Sequence, residues 1–163
     1  MNEGKRDILI FPKFNNINKI QNIRLKHDHL ATLVPPHITL AFPFSDRISD
    51  EELIIKMKEI LINTEPFKIS FKGISLSQDK YISLNCVEGN DEITRLHNEI
   101  YSKILNKHNK RVVNYIPHIT LGKITKIEDL ENLNDTFTTI VNEIIIEKIG
   151  KNEESIIIKK MQF

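Results

Sequence analysis

Asp7 to Phe11 (DILIF) is an apolar, β-rich run stopped by Pro12, and it predicts a first strand. Asn15 to Leu30 carries apolar residues at 17, 20, 23, 25 and 30, an imperfect helical spacing. His37 to Phe42 alternates and predicts a strand. Ser49 followed by Glu52 forms a capping box, opening a helix with Leu53, Ile54, Met57, Ile60 and Leu61 on one face and ending before Pro66. Phe67–Leu76 and Lys80–Val87 read as two strands joined by the turn SQDK. A second long helix, with Ile93, Leu96, Ile100, Ile104 and Leu105 as its inner stripe, follows Glu88-Gly-Asn-Asp. Ile116–Leu121 reads as a strand and Ile127–Leu133 as a short helix. Phe137–Ile149 and Ser155–Phe163 are long β-branched runs with Gly150-Lys-Asn as a hairpin turn between them. Helices and hairpins mixed in this order predict an α+β fold with mostly antiparallel sheet.

One pattern recurs. Pro-His-Ile-Thr-Leu stands at 36–40 and again at 117–121, 81 positions on. The spacing is too long for a solenoid unit and occurs once, so it reads as an internal duplication that gives two pseudo-symmetric lobes in a single domain, 1–163, one motif from each. In a strand, alternate side chains share a face. His37, Thr39 and Ala41 then point one way, and Ile38, Leu40 and Phe42 the other. His118, Thr120 and Gly122 likewise oppose Ile119 and Leu121. Each strand has an apolar face for a core and a face with an imidazole, a hydroxyl and a small residue that leaves room for a ligand. Pro36 and Pro117, lacking an N–H, suit the strand entrance.

Composition changes this picture little. At 163 residues the chain buries roughly 70% of its unfolded surface and needs no disulfide or metal to fold. Its single cysteine, Cys86, excludes an internal disulfide framework, points to a reducing compartment, and reads as a small core residue. No apolar stretch is long enough for a signal peptide or a membrane span, which predicts a cytoplasmic protein. A net charge of +1 excludes a broad basic surface, so any RNA must be handled at a local site. One basic cluster, Lys103, Lys107, Lys110 and Arg111, reads as a solvated helix end.

If the two lobes face each other, two histidines and two threonines converge. One imidazole can accept a proton while the other donates one, and two hydroxyls can hold an oxyanion. A phosphate ester fits that set. Zinc is the rival chemistry, but neither motif has a His-x-His, a His-x-x-x-His, or an adjacent carboxylate or cysteine. His27-Asp28-His29 is the one His-x-His and reads as exposed. His97 and His108 fall on helical patterns or loops.

PPHITLAFPF and YIPHITLGK, each carrying His-x-Thr about half a chain apart, resemble the two-histidine phosphoesterase superfamily. They are especially similar to the bacterial 2′-5′ RNA ligase family, also described as RNA 2′,3′-cyclic phosphodiesterases. The resemblance covers most of the chain: the N-terminal strand, the helix DEITRLHNEIYSKILNK and the C-terminal hairpin. It implies a bilobal α+β fold around a central cleft. It also implies His37, Thr39, His118 and Thr120 as the catalytic tetrad and no metal or nucleotide cofactor; the chain is read as a monomer. Lys123 stands where many relatives have arginine, keeping the charge but not the bidentate fork. Tyr115 reads either as a stacking platform for a base or as a half-buried strand residue.

The activity the resemblance implies is opening of 2′,3′-cyclic phosphodiesters at RNA or nucleotide ends, with the 3′ oxygen leaving. The reverse of these steps is 2′-5′ ligation, which needs no Walker A loop, and the chain has none. The partners are then RNA ends or nucleotides carrying a 2′,3′-cyclic phosphate or a 2′-5′ linkage. Two alternatives stay open: a non-catalytic nucleotide-binding module, and an enzyme for a 2′-5′ oligonucleotide or a small non-RNA cyclic phosphate such as ADP-ribose 1″,2″-cyclic phosphate.

Overall fold

The computed structural model describes residues 2–111 and 114–163, the side chains of 109–111 excepted. Eight strands, β1 (Arg6–Ile10), β2 (Ile38–Phe44), β3 (Phe67–Leu76), β4 (Tyr81–Glu88), β5 (His118–Lys123), β6 (Phe137–Val141), β7 (Glu143–Ile149) and β8 (Ser155–Gln162), form one antiparallel sheet. Their order is β6-β3-β4-β5-β2-β1-β7-β8. Three α-helices accompany them among the described residues: α1 (Ile17–His27), α2 (Asp50–Leu61) and α3 (Asn90–Lys103).

The two lobes expected from the repeat are the two halves of this sheet. Each half has four strands, and the strands that carry the repeated motif, β5 and β2, meet at the centre. They pair with Ile38 opposite Ile119, both fully buried. The long run 137–149, expected as one strand, is two. β6 pairs with β3 at one margin of the sheet, while β7 pairs with β1 and β8 in the other half. Only Asn142 separates them. One residue bridges the first and seventh places in the strand order, so the sheet must curl until its ends approach. Phe163 lies at that closure. Its N–H donates to Asn142 O at 2.9 Å, and its ring stacks 6.2 Å from Phe67 of β3.

The helices form where local signals place them. The Ser49 side chain accepts from Glu52 N at 3.1 Å, and the first turn of α2 carries three carboxylates beside its free N–H groups. Leu53, Met57, Ile60 and Leu61 are its buried face. Ile93, Leu96 and Ile100 bury α3 as its stripe predicts, and His97 and Tyr101 are buried with them. α1 departs from its pattern: Leu25 is exposed and Arg24 is fully buried. The short helix expected at 127–133 is a single 3₁₀ turn, Ile127–Asp129. Among the described residues no helix is long and apolar enough to cross a membrane.

The two faces of the sheet differ. Ile8, Ile10, Ile38, Leu40, Ile119, Leu121, Ile144 and Ile146 belong to the main core, together with Ile20 and Ile23 of α1. The residues between them, Asp7, Leu9, His37, Thr39, Ile145 and Glu147, lie on the opposite face.

Candidate active site

His37 and His118 are held in the same way. His37 Nδ1 donates to Pro35 O and His118 Nδ1 donates to Ile116 O, each at 2.8 Å. A carbonyl only accepts, so Nδ1 carries the hydrogen and Nε2 presents its lone pair outward. The residue between ring and carbonyl is proline both times, Pro36 and Pro117. Its fixed φ sets the short loop back from the imidazole to the accepting carbonyl.

The register assembles the tetrad. With Ile38 opposite Ile119 in an antiparallel pair, His37 falls opposite Thr120, and Thr39 opposite His118. Directly opposed side chains share a face with Cβ atoms about 4.5–5.5 Å apart, and diagonal neighbours such as the two histidines are about 7–8 Å apart. All four are half-buried, on the face away from Ile38 and Ile119. The backbone thus brings together all four residues singled out by the repeat, as a rectangle with histidines on one diagonal and threonines on the other.

Alternation breaks immediately after each threonine. Leu9 pairs with Thr39 but Ile8 with Ala41, leaving Leu40 as an extra residue in β2. Ser83 pairs with Thr120 but Ile82 with Gly122, leaving Leu121 as an extra residue in β5. These two equivalent bulges overturn part of the expected facing. Ala41 is fully buried in the main core and Phe42 is 39% exposed, the reverse of strict alternation. Gly122 opens no space for a ligand either. Its φ is +134°, and a Cβ built there would lie 2.3 Å from His27 O at the end of α1. Small residues stand at 41 and 122 because helices close on the strands there. α3 makes the matching approach to β2: Tyr101 Oη accepts from Phe42 N at 3.0 Å, and His97 Nδ1 donates to Leu40 O at 2.7 Å.

His37 is delivered by a segment tied to a buried cation. Arg24 Nε pairs with Asp28 Oδ2 at 3.0 Å. Its Nη2 donates to Val34 O at 2.8 Å and its Nη1 to Gln21 Oε1 at 2.9 Å. Gln21 in turn donates to Ala31 O at 2.7 Å, and Asp28 accepts from Leu30 N at 3.0 Å. The turn 28–34 is therefore fixed just before Pro35, the anchor of the His37 ring. Burial holds the His37 pKa below its usual value, the bond to Pro35 O opposes that shift, and the Arg24 charge adds to it. His37 is accordingly neutral at pH 7, with Nε2 free to take a proton.

Tyr115 lies in the segment before β5, not in a strand, and does not present its ring as a free stacking platform. It is half-buried, stacked 3.7 Å from the His97 ring at 5° between planes, and it donates to Thr39 O at 2.7 Å. That bond braces the backbone of the first motif from the segment entering the second. Lys123 lies over the Tyr81 ring, 5.1 Å from its centroid. Cys86 is partly buried, with a thiol pushed up to about 11 by burial, so it is not a nucleophile at neutral pH. His27 is half-buried against Glu131 at 3.1 Å and His29 faces Glu153 at 3.4 Å, so the one His-x-His splits between two partners. Of the basic cluster, Lys103 pairs with Glu99 at 2.9 Å, and the side chains of Lys110 and Arg111 lie outside the described residues.

Beside His37 and Thr39 a cavity of about 140 Å³ runs over β1 and β7. It is lined there by Asp7 and Glu147, two carboxyls that face each other across the strand pair and are 6% and 2% exposed. Burial, and next the Glu147 charge, hold the Asp7 pKa far above the carboxylate range. Neither residue stands out in the sequence, where each is one charged position in a strand-forming run. Only the pairing of β1 with β7 brings them together. A larger cavity, about 510 Å³, lies between the end of α2 and β8, away from both motifs.

The sequence profile of the 2′-5′ RNA ligase superfamily matches residues 12–148. A protein of Geobacillus kaustophilus (strain HTA426), named "Putative phosphoesterase GK0864", is 35% identical over 124 residues, covering 73% of this chain and 69% of that protein. A Bacillus cytotoxicus protein named in the same way is 31% identical over 130 residues, 78% of this chain and 73% of its own. Among solved structures, E. coli LigT complexed with 3′-AMP superposes with a TM-score of 0.74 at 16% identity over 98% of both chains. TT0787 of Thermus thermophilus gives 0.66 at 14% identity over 97% of both. At those identities the solved structures speak for the fold, while the profile spans both His-x-Thr motifs. The chain belongs to the 2′-5′ RNA ligase superfamily, among the two-histidine phosphoesterases.

Proposed function

We propose that this protein is a phosphoesterase that opens 2′,3′-cyclic phosphodiesters of nucleotides or RNA ends, with His37, Thr39, His118 and Thr120 as its catalytic residues. The observation that carries the reading is the matched anchoring of two imidazoles through Nδ1, which leaves two Nε2 atoms on one sheet face with a hydroxyl opposite each. A phosphorus centre undergoing in-line displacement needs a base on one side and an acid on the other. His37, kept neutral by burial, is the base. Its Nε2 takes a proton from water as the water oxygen bonds to phosphorus. The P–O3′ bond breaks, and His118, protonated at Nε2, gives its proton to the departing O3′. Ring-opening leaves a 2′-phosphate and a 3′-hydroxyl, and the two histidines end with their protonation states exchanged. Thr39 and Thr120 donate to the non-bridging oxygens, where negative charge accumulates.

The phosphoesterase names of the curated relatives support the reaction class, and the nucleotide complexes of E. coli LigT support a nucleotide-sized ligand. The test is incubation of the purified protein with 2′,3′-cyclic nucleotides, cyclic-ended oligoribonucleotides and linear 2′-5′ diesters, with products identified by mass and chromatography. A 2′-phosphate product is expected. His37→Ala and His118→Ala should each lower turnover by about 10² to 10⁴, and Thr39→Ala or Thr120→Ala by about 10². No turnover of any of these esters, or full turnover in either histidine variant, overturns the reading.

A further inference from the structure

We propose that the cavity beside His37 is a recognition subsite for the exocyclic amino group of a nucleobase, accepted by the Asp7–Glu147 carboxyl pair. The inference rests on the nucleotide reading above and extends it from the reacting phosphate to the far end of the ligand.

The pair is short of hydrogen-bond donors. It offers four oxygens in a site almost closed to solvent. Ser155 Oγ donates to Glu147 Oε2. A proton shared between the two carboxyls engages one more oxygen on each. Asp7 Oδ1, out of reach of solvent, has no hydrogen-bonding partner among the described residues. Among the described residues no cation fills the deficit. Arg6, the neighbour in sequence, turns to the other face and pairs with Asp50 at 2.9 Å, and Arg24 is engaged by Asp28. Glu153, also lining the cavity, adds another carboxylate and pairs with His29 at 3.4 Å. Buried acceptors of this kind are normally satisfied, so the cavity is built to receive a donor.

Size and position say which donor. About 140 Å³ holds some four waters at ~30 Å³ each, room for the edge of a ring and not for a whole nucleotide. Leu9 sits opposite Thr39, and Asp7 is two residues further along β1, about 7 Å at the strand rise. A phosphate held by the tetrad and a group held by Asp7 are thus one nucleoside apart. The ribose hydroxyls stay at the phosphate end because they bear it, which leaves the base to reach the carboxyls. An amino group donates and does not accept, which suits an acceptor-rich site. A bare ring edge leaves the carboxyls unsatisfied, and a site built to bond an N–H rejects the analogue that lacks it.

The test is calorimetric titration of wild type, Asp7→Leu and Glu147→Met, which remove the acceptors at nearly constant volume, with two ligands, adenosine 2′-phosphate and purine riboside 2′-phosphate, which differ only by the amino group. Wild type should bind the adenosine compound about tenfold or more tightly. Both near-isosteric variants should lose that preference while still binding inorganic phosphate as wild type does. Equal affinities in wild type, binding of neither nucleotide, or a preference that survives both substitutions overturns the inference. Should both variants unfold, the wild-type comparison alone decides. Because binding is read rather than turnover, a protein that discriminates the two ligands yet opens no cyclic phosphate keeps this subsite and loses the hydrolytic reading.

Discussion

Replacing Arg24 by Met tests whether the buried cation is what presents His37. The side chain is fully buried, and its guanidinium bonds Asp28, Gln21 and the carbonyl of Val34. Met conserves much of the volume and removes the charge. The Asp28 side chain, 8% exposed, then keeps a charge with only Leu30 N as donor, and Val34 O loses its partner. Breaking a buried pair on one side costs about 3–5 kcal/mol. For a chain of 163 residues, at about 2–4 °C per kcal/mol, the melting temperature should fall by roughly 6–20 °C. Because the released turn runs into Pro35, the His37 ring loses its fixed tautomer and aim, and turnover should fall further than the folded fraction does. Urea unfolding measures the first effect, and turnover at a temperature where the variant is folded measures the second. Adding Asp28→Leu removes the stranded charge and should recover much of the stability but not the turnover. A loss below about 1 kcal/mol, or a double variant no more stable than the single one, refutes the reasoning.

Two further outcomes follow from the geometry. The His37 ring should titrate by NMR below 6.5, because burial outweighs the bond to Pro35 O that opposes it. The sign for stability is that of a lowered histidine: the contribution is whole above pH 6.5 and is lost as pH falls from there through the folded midpoint, because the unfolded ring takes up a proton that the buried one resists. A midpoint at or above 6.5 contradicts the desolvation argument. Gly122→Ala should destabilise the fold by about 1–3 kcal/mol, measured by urea unfolding, since its φ of +134° and the carbonyl of His27 both exclude a Cβ. Unchanged stability would show that the end of α1 can give way.

What the sequence alone determined is what depends on near neighbours. The Ser49 cap, the inner stripe of α3 and the hairpin of β3 with β4 each arise from residues a few positions apart, and the structure has them where their patterns lie. The candidate site was legible for a different reason. A pentapeptide that pairs histidine and threonine with apolar residues, repeated 81 positions apart, stands out without any knowledge of its surroundings. Tertiary structure decided the rest. The β-branched run 137–149 has no internal signal strong enough to break it, and it divides at Asn142 because its two parts find partners in opposite halves of the sheet. The bulges after Thr39 and Thr120 exist only relative to β1 and β4, so strict alternation misplaced Ala41, Phe42 and Gly122. Arg24 looks like any helical surface residue until the turn 28–34 folds over it. Asp7 and Glu147, 140 positions apart, become a carboxyl pair only when β1 and β7 align and water is removed from between them. Desolvation and strand register are properties of the assembled sheet, and no single stretch of this chain encodes either.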